Sequence, residues 1–217
     1  GYVPEERLEV VYNGVGAHFR VIEDEQHLRQ IAKKYSLPAK FFLFLGNTDP
    51  KKNTPKTIVA YAEYCAKYGL EHKLVIGDLN PDVIKRYLQE AGFEQFFEQI
   101  HFTGYINNKD LPAIINLAAL FLYPSLRESF GIPLLEGMRC GTPVLSGDFS
   151  SMPEIAGEAA LLVNVKDTAA ISEGMHQLIS NSTLRQSYVQ KGLERSAQFS
   201  WKNTARQVHT LYNRLNN

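Results

Sequence analysis

The sequence predicts an α/β fold, a Rossmann-like parallel sheet flanked by helices. Three observations lead there. Short apolar runs alternate with longer amphipathic stretches along most of the chain, the pattern of repeated strand–helix units. Several short runs, such as FFLFL at 41–45 and LFLY at 120–123, are apolar without a break, as strands covered on both faces require. The chain has 217 residues, of which 44% are apolar and 21% charged, enough for a full-sized core and unlike a disordered chain.

The elements follow in order. Residues 1–40 read as a lead-in: a strand at 8–12, a turn at Asn13-Gly14, then a polar helix over 24–35. Strands are expected at 41–45, 73–76, 99–102, 119–123, 143–145 and 160–163. The helix at 54–68 places Ile58, Val59, Ala62, Cys65 and Ala66 on one stripe, with Asn53 as its N-cap and Pro55 tolerated in the first turn. A second helix at 82–91 carries Val83, Ile84, Tyr87 and Leu88, and Gly92 stops it. Further helices are expected at 108–117, 132–140, 168–180, 183–199 and 201–215, the last capped by Ser200 and carrying Val208, Leu211, Tyr212 and Leu215. Ligands of such folds sit beyond the C-terminal ends of the strands, so the informative loops are 46–53, 77–80, 104–109, 124–131 and 146–152.

Composition excludes several classes. Lys plus Arg is 23 and Asp plus Glu is 23, which argues against a diffuse basic surface for nucleic acid. Cys65 and Cys140 form no disulfide framework and have no zinc spacing, so both read as small apolar residues and no metal site is expected. The longest apolar stretch, 111–124, contains Pro112 and Asn116 and is too short to span a bilayer. The N-terminus GYVPEERLEV has no basic segment followed by an apolar run, so no signal peptide is read there. Without an initiator Met, the chain is expected to be part of a longer protein.

Two loops hold candidate chemistry. In PSLRESFGIPLLEGMRCGTPVL at 124–145, Glu128 lies in a loop, Gly131 opens a helix, and Glu136 sits just over one turn in. The helix N-terminus offers free N–H groups and a positive dipole end, a seat for phosphate. A carboxylate so close to that seat repels phosphate and suits neutral hydroxyls such as a ribose diol. Taken on charge alone, both acids also read as solvated surface groups, although Pro133, Leu134, Leu135 and Met138 make an apolar setting for Glu136. In GNTDPKKN at 46–53, Lys51 or Lys52 places a cation at a strand tip. The segment lacks the P-loop pattern, and adjacent lysines read first as a solvated loop. Asp78 ends a strand and reads as a turn former, while Tyr105 and Ile106 either flank a base or pack their loop. Ser146 and Ser151 lack a nucleophile elbow.

Taken together, VVYNGV (10–15), FFLFLGNTDPKKN (41–53), VIGD (75–78), FTGYINNKDL (102–111), PSLRESFGIPLLEGMRCGTPVL (124–145) and SSMPEIAGEAALLV (150–163) resemble the retaining glycosyltransferases of the GT-B fold, the large family-four group. The pair Glu128 and Glu136, followed by GTPV, carries the resemblance most specifically, and the match is to the C-terminal, donor-binding half of that fold. The resemblance implies that Glu136 holds the ribose hydroxyls and that Glu128 lies beside the donor sugar. It implies that backbone N–H groups of Phe130, Gly131 and Ile132 hold sugar and phosphate, that Lys52 neutralises the leaving diphosphate, and that Tyr105–Ile106 receive the nucleobase. Gly46 and Asn47 fall among the substrate-binding residues. Asn47 stands where the family often has Arg, which leaves more of the charge stabilisation to Lys52, with Lys51 at hand. Arg127 and Ser129 also differ from the commoner neighbours of Glu128, so the donor sugar stays open.

The resemblance thus implies transfer of a hexose, mannose for example, from a nucleoside-diphosphate sugar to a glycan or lipid-linked acceptor. An anionic leaving group and an oxocarbenium-like centre need just such a cation and such an acid. No cofactor and no metal are expected, because no Asp-x-Asp motif is present and Lys52 with a helix N-terminus can take the place of Mg²⁺. The implied organisation is a lead-in at 1–40 from an absent N-terminal domain, a nucleotide-sugar-binding domain at 41–199, and a C-terminal helix at 200–217 packing toward the absent half. The expected location is cytoplasmic, at or near the inner face of a membrane. Two alternatives remain at this level: another enzyme on the same scaffold, such as a sugar-nucleotide epimerase or a phosphorylase, and a non-catalytic nucleotide-sugar-binding module. A phosphorylase would need a lysine bearing pyridoxal phosphate, and no such site is evident.

Overall fold

The run FFLF at Phe41–Phe44 forms strand β1 and is buried at every position. Its side chains alternate between two apolar clusters: Phe41 and Leu43 enter one, Phe42 and Phe44 the other. Leu120–Tyr123 (β4) repeats this, with Phe121 and Tyr123 on the first side and Leu120 and Leu122 on the second. Two covered faces explain why these strands contain no polar alternation. The computed structural model describes Pro4 and residues 7–215.

The remaining strands are Lys73–Ile76 (β2), Ile100–Phe102 (β3), Val144–Gly147 (β5) and Leu161–Val163 (β6). All pairings are parallel, in the order β3-β2-β1-β4-β5-β6. The chain winds outward from β1 to β3, then returns to pair β4 against β1. The loops after β1 and β4 therefore leave in opposite directions and open a crevice between them, the place where ligands bind in doubly wound sheets.

Nine α-helices are described: Glu25–Lys34 (α1), Thr54–Tyr68 (α2), Pro81–Glu90 (α3), Leu111–Leu117 (α4), Ile132–Arg139 (α5), Met152–Ala156 (α6), Thr168–Ser180 (α7), Ser182–Ala197 (α8) and Trp201–Leu215 (α9). Helices α2, α3 and α7 cover one face through Ile58, Tyr61, Ile84, Leu88, Ile171 and Met175. Helices α1, α4 and α5 cover the other through Ile31, Ile114, Leu134, Leu135 and Met138. Short 3₁₀ turns at Pro50–Lys52 and Glu94–Gln99 and the five-residue α6 lie outside the elements expected from sequence.

Three local expectations need correction. Residues 8–12 form no strand: Leu8 and Val10 are exposed, and no sheet edge is offered to them, because the segment runs beside α9. Among the described residues, the pairing nearby is an isolated bridge between Val15 and Ser200. Asn53 occupies the N-cap of α2 but does not cap it with its side chain; the backbone is left-handed and the amide donates instead to the Val165 carbonyl at 2.8 Å. The buried stripe of α2 is carried by Thr57, Ile58, Tyr61, Ala62, Tyr64 and Cys65, while Ala66 is exposed. Of the lead-in, Val15, Phe19 and Ile31 are buried in the same core as the sheet. On α9, Trp201, Val208 and Tyr212 are exposed. Cys65 and Cys140 are buried and free, and burial pushes their thiols up to about 11 and about 12, which leaves them unreactive.

Candidate active site

Gly46 lies two residues beyond the end of β1, and a Cβ there would meet the Phe44 ring at 2.2 Å and Thr54 Oγ1 at 2.9 Å, so the position is held to glycine by packing. The chain then turns. The Asn47 side-chain oxygen accepts from the Asp49 N–H at 2.9 Å, and Asp49 accepts from the Lys51 N–H at 3.0 Å. This 3₁₀ turn separates the two lysines. Lys51 points outward and pairs with Asp49 at 3.1 Å, whereas Lys52 points into the crevice.

The loop after β4 folds back over that turn. The Leu126 N–H donates to the Lys51 carbonyl at 2.7 Å, bridging the two loops through their backbones. Ser150 and Ser151 donate to the Glu128 carbonyl at 2.7 and 3.1 Å, and Ser150 also accepts from the Glu128 N–H at 3.3 Å. So held, Glu128 meets Lys52 with Oε1 2.7 Å from Nζ, and only 14% and 17% of their side chains remain exposed. Burial by itself would raise the Glu128 carboxyl. Hydrogen bonds from Lys52, Tyr123 and Ser125 outweigh it and hold the group below the ordinary carboxylate range. The Lys52 ammonium also lies over the Tyr123 ring, 5.1 Å from its centroid.

Gly131 opens α5 with φ +100, and a Cβ there would fall 2.3 Å from Met152 Cε. Among the described residues, the N–H groups of Phe130, Gly131 and Ile132 have no hydrogen-bond partner. Glu136 lies half-buried on the same helix, with no hydrogen bond or ion pair to its carboxylate among the described residues. Burial alone pushes it up to about 7. An uncompensated carboxylate beside unfilled N–H groups is an arrangement that a ligand completes.

Tyr105 and Ile106 follow β3, two strands from β1. Tyr105 is 71% exposed and free to meet a ligand, while Ile106 packs on the core near Gly77. Thus Gly46, Asn47, Lys52, Glu128, Phe130, Gly131, Ile132 and Glu136 gather at the β1 and β4 tips, and Tyr105 and Ile106 stand further along the same edge. Sequence reasoning did not find Tyr123, Ser125, Ser150 or the Lys51–Leu126 bridge. A tyrosine inside an apolar strand looks like core, and serine pairs in loops carry no distinguishing pattern. No cluster of three or more His, Cys, Asp or Glu suited to a metal occurs among the described residues. No described helix is long and apolar enough to cross a membrane. A cavity of about 480 Å³ lies elsewhere, between residues 18–27 and 108–112.

The chain is 33% identical over 216 residues to the serotype-specific mannosyltransferase WbdA of Escherichia coli, covering 98% of this chain and 26% of that protein. It thus spans about a quarter of the length of that relative. Among solved structures, the C-terminal domain of the group 1 family glycosyl transferase LpcC from Francisella tularensis has a TM-score of 0.68 and 26% identity, covering 83% of this chain and 94% of that one. Anabaena HepE, in complex with UDP and glucose, has a TM-score of 0.81 at 16% identity, covering 97% and 58%, a likeness of fold. The profile of the glycosyl transferases group 1 family matches residues 25–195, a span that holds all ten candidate residues, and the chain belongs to that family.

Proposed function

We propose that this chain is the donor-binding half of a retaining hexosyltransferase, carrying a sugar from a nucleoside diphosphate to a glycan or lipid-linked acceptor. The observation that carries the reading is the shielded Lys52–Glu128 pair at the sheet's switch point, beside the unpaired Glu136 and the open N-terminus of α5. In transfer, the bond from the anomeric carbon to the diphosphate oxygen breaks and its electron pair leaves on the diphosphate, while the acceptor oxygen bonds to that carbon and its proton passes to the departing diphosphate. Lys52 and the N–H groups of Phe130, Gly131 and Ile132 neutralise that charge, with Asn47 as a further donor. The Glu128 carboxylate faces the positive charge growing on the sugar ring. Glu136 accepts from the ribose hydroxyls. With strands about 4.8 Å apart, β3 stands about 10 Å from β1, a span that suits a base at Tyr105–Ile106 when the diphosphate is at Lys52. Lys52 and the helix terminus supply the charge that a metal would otherwise bring.

Mannose is the sugar to test first, since WbdA is a mannosyltransferase. UDP belongs beside GDP and ADP among the nucleotides, since HepE was solved with UDP. Acceptor binding and turnover are assigned to an N-terminal half, and a cytoplasmic setting near a membrane face suits a lipid-linked acceptor. Thermal denaturation with nucleosides, nucleoside diphosphates and sugar nucleotides tests the donor seat. A ligand at 100 times its dissociation constant adds about 2.7 kcal/mol, or about 5–11 °C for a chain of this size. No shift with any diphosphate overturns the reading. Radiolabelled transfer by the isolated chain alone would show that the acceptor site lies within it.

A further inference from the structure

The loop that opens α5 is anchored through its backbone by Ser150 and Ser151, and through one side chain by a cluster of rings. The Phe130 ring packs with its centroid 6.0 Å from Tyr12 and 5.9 Å from Phe199, and those two rings stand 5.7 Å apart. Both contacts of Phe199 are edge-on, an arrangement that aromatic quadrupoles favour. The three rings come from distant segments: Tyr12 from the lead-in, Phe130 from the loop after β4, and Phe199 from the junction of α8 and α9. Phe199 is 4% exposed and fixed by Arg195, whose guanidinium lies over the ring at 4.9 Å. The same guanidinium donates from Nε and Nη2 to the Ile155 and Glu154 carbonyls of α6.

Tyr12 is tied down by bonds of its own. Its hydroxyl donates to Glu154 Oε1 at 2.5 Å, and its carbonyl accepts from Thr204 Oγ1 at 2.7 Å. Three residues on, the Val15 N–H donates to the Phe199 carbonyl at 3.2 Å. Tyr12 thus bears on both flanks of one peptide link. Its ring meets Phe130, and its hydroxyl holds to α6, the helix whose Met152 stands against Gly131. Phe130 and Gly131 carry two of the unpartnered N–H groups at the start of α5. Such groups stabilise an anion well only when they are already aimed at its place.

We infer that Tyr12 is a positioning residue, whose ring holds Phe130 so that the N–H groups of Phe130, Gly131 and Ile132 converge on the donor's diphosphate. The inference rests on the donor-site reading above. It puts part of the support for the anion seat outside residues 25–195, the span that the family profile matches, in the lead-in and at the start of α9. The loop bearing Lys52 has a separate support in the Asp49 turn and the Leu126 bridge, so the two halves of the seat can be disturbed independently.

The test is calorimetric titration with inorganic pyrophosphate, joined to amide NMR spectra, on wild type, Tyr12→Phe, Tyr12→Leu and Tyr12→Ala. Tyr12 is 39% exposed, so these replacements leave the core intact, and leucine keeps apolar bulk should alanine loosen the segment. Phenylalanine keeps every ring contact and should bind pyrophosphate as wild type does. Leucine and alanine remove the ring and should weaken binding about threefold to tenfold. In the free leucine and alanine variants the amide signals of residues 130–132 should shift, while those of residues 47–52 stay in place, a split that general loosening would not produce. Undiminished binding in both variants, a loss in Tyr12→Phe equal to that in Tyr12→Ala, or shifts at 47–52 matching those at 130–132 overturn the inference. Failure of the donor-site reading looks different: pyrophosphate then leaves the wild-type amides of 130–132 unmoved, and Lys52→Ala binds it as wild type does.

Discussion

Glu136→Gln should make the ligand-free chain more stable at pH 8 while weakening its hold on nucleotides. The wild-type acid ionises at about 7 instead of an ordinary 4.5, and burial is the cause. At about 1.4 kcal/mol per pH unit, its charged form costs the folded chain about 3 kcal/mol. Solvent reaches a half-buried group, which reduces this to about 1–2 kcal/mol. The sign follows from linkage. The unfolded chain releases this proton near 4.5 and the folded chain near 7, so the folded state binds more protons in between and loses stability as pH rises. Glutamine has nearly the same shape and carries no charge. The variant should therefore melt about 2–8 °C above wild type at pH 8 and level with it at pH 4. Calorimetric titration with UDP, GDP and ADP should show about a tenfold weaker best ligand, because a charge-assisted hydrogen bond to the ribose is lost. A melting gain independent of pH refutes the argument that burial strains this carboxylate. A pH-dependent gain with unchanged nucleotide affinity refutes its place at the ribose.

Three further substitutions probe the rest of the site. Lys52→Ala leaves Glu128 shielded and without its cation, so stability should fall by about 1–3 kcal/mol in urea denaturation, and diphosphate affinity should fall far more than nucleoside affinity. Equal losses for both ligands would move Lys52 away from the phosphates. Glu128→Gln should leave nucleoside diphosphate affinity nearly unchanged and abolish transfer in the longer polypeptide that carries this chain; a large loss of diphosphate affinity would place Glu128 against phosphate instead. Gly131→Ala should cost about 1–3 kcal/mol, because the backbone is left-handed there and the new methyl meets Met152, and an unchanged denaturation midpoint would rule out that constraint.

Much of the architecture was legible from local pattern. The unbroken runs at β1 and β4 require two covered faces, and 3.6-residue periodicity marked α2 and α3. The strand at 8–12 was misread because its apolar residues suit a strand, while pairing depends on a free sheet edge that sequence does not display. Helix α6 escaped notice because five residues with an early proline carry too little periodicity. The candidate residues themselves were visible as residue types at strand tips, the acids before and within a helix start and the lysines after a turn.

Which lysine faces the site was settled only by the fold. Asp49 closes a 3₁₀ turn that sends Lys51 to solvent and Lys52 inward, and the choice depends on the turn's hydrogen bonds, not on the dipeptide. Glu128 lies 76 residues from Lys52 along the chain, and they meet because the strand order reverses after β3 and brings β4 back to pair in parallel with β1. Tyr123 shows the same division. Its place in an apolar strand was readable from its neighbours, but its chemistry arises from a loop folded back above it, anchored by serines some two dozen residues further on. Strand and helix identity depend on interactions a few residues long, which the sequence displays directly. Ion pairing, burial and the pKa values that follow depend on contacts between distant segments, which exist only once the chain has closed on itself.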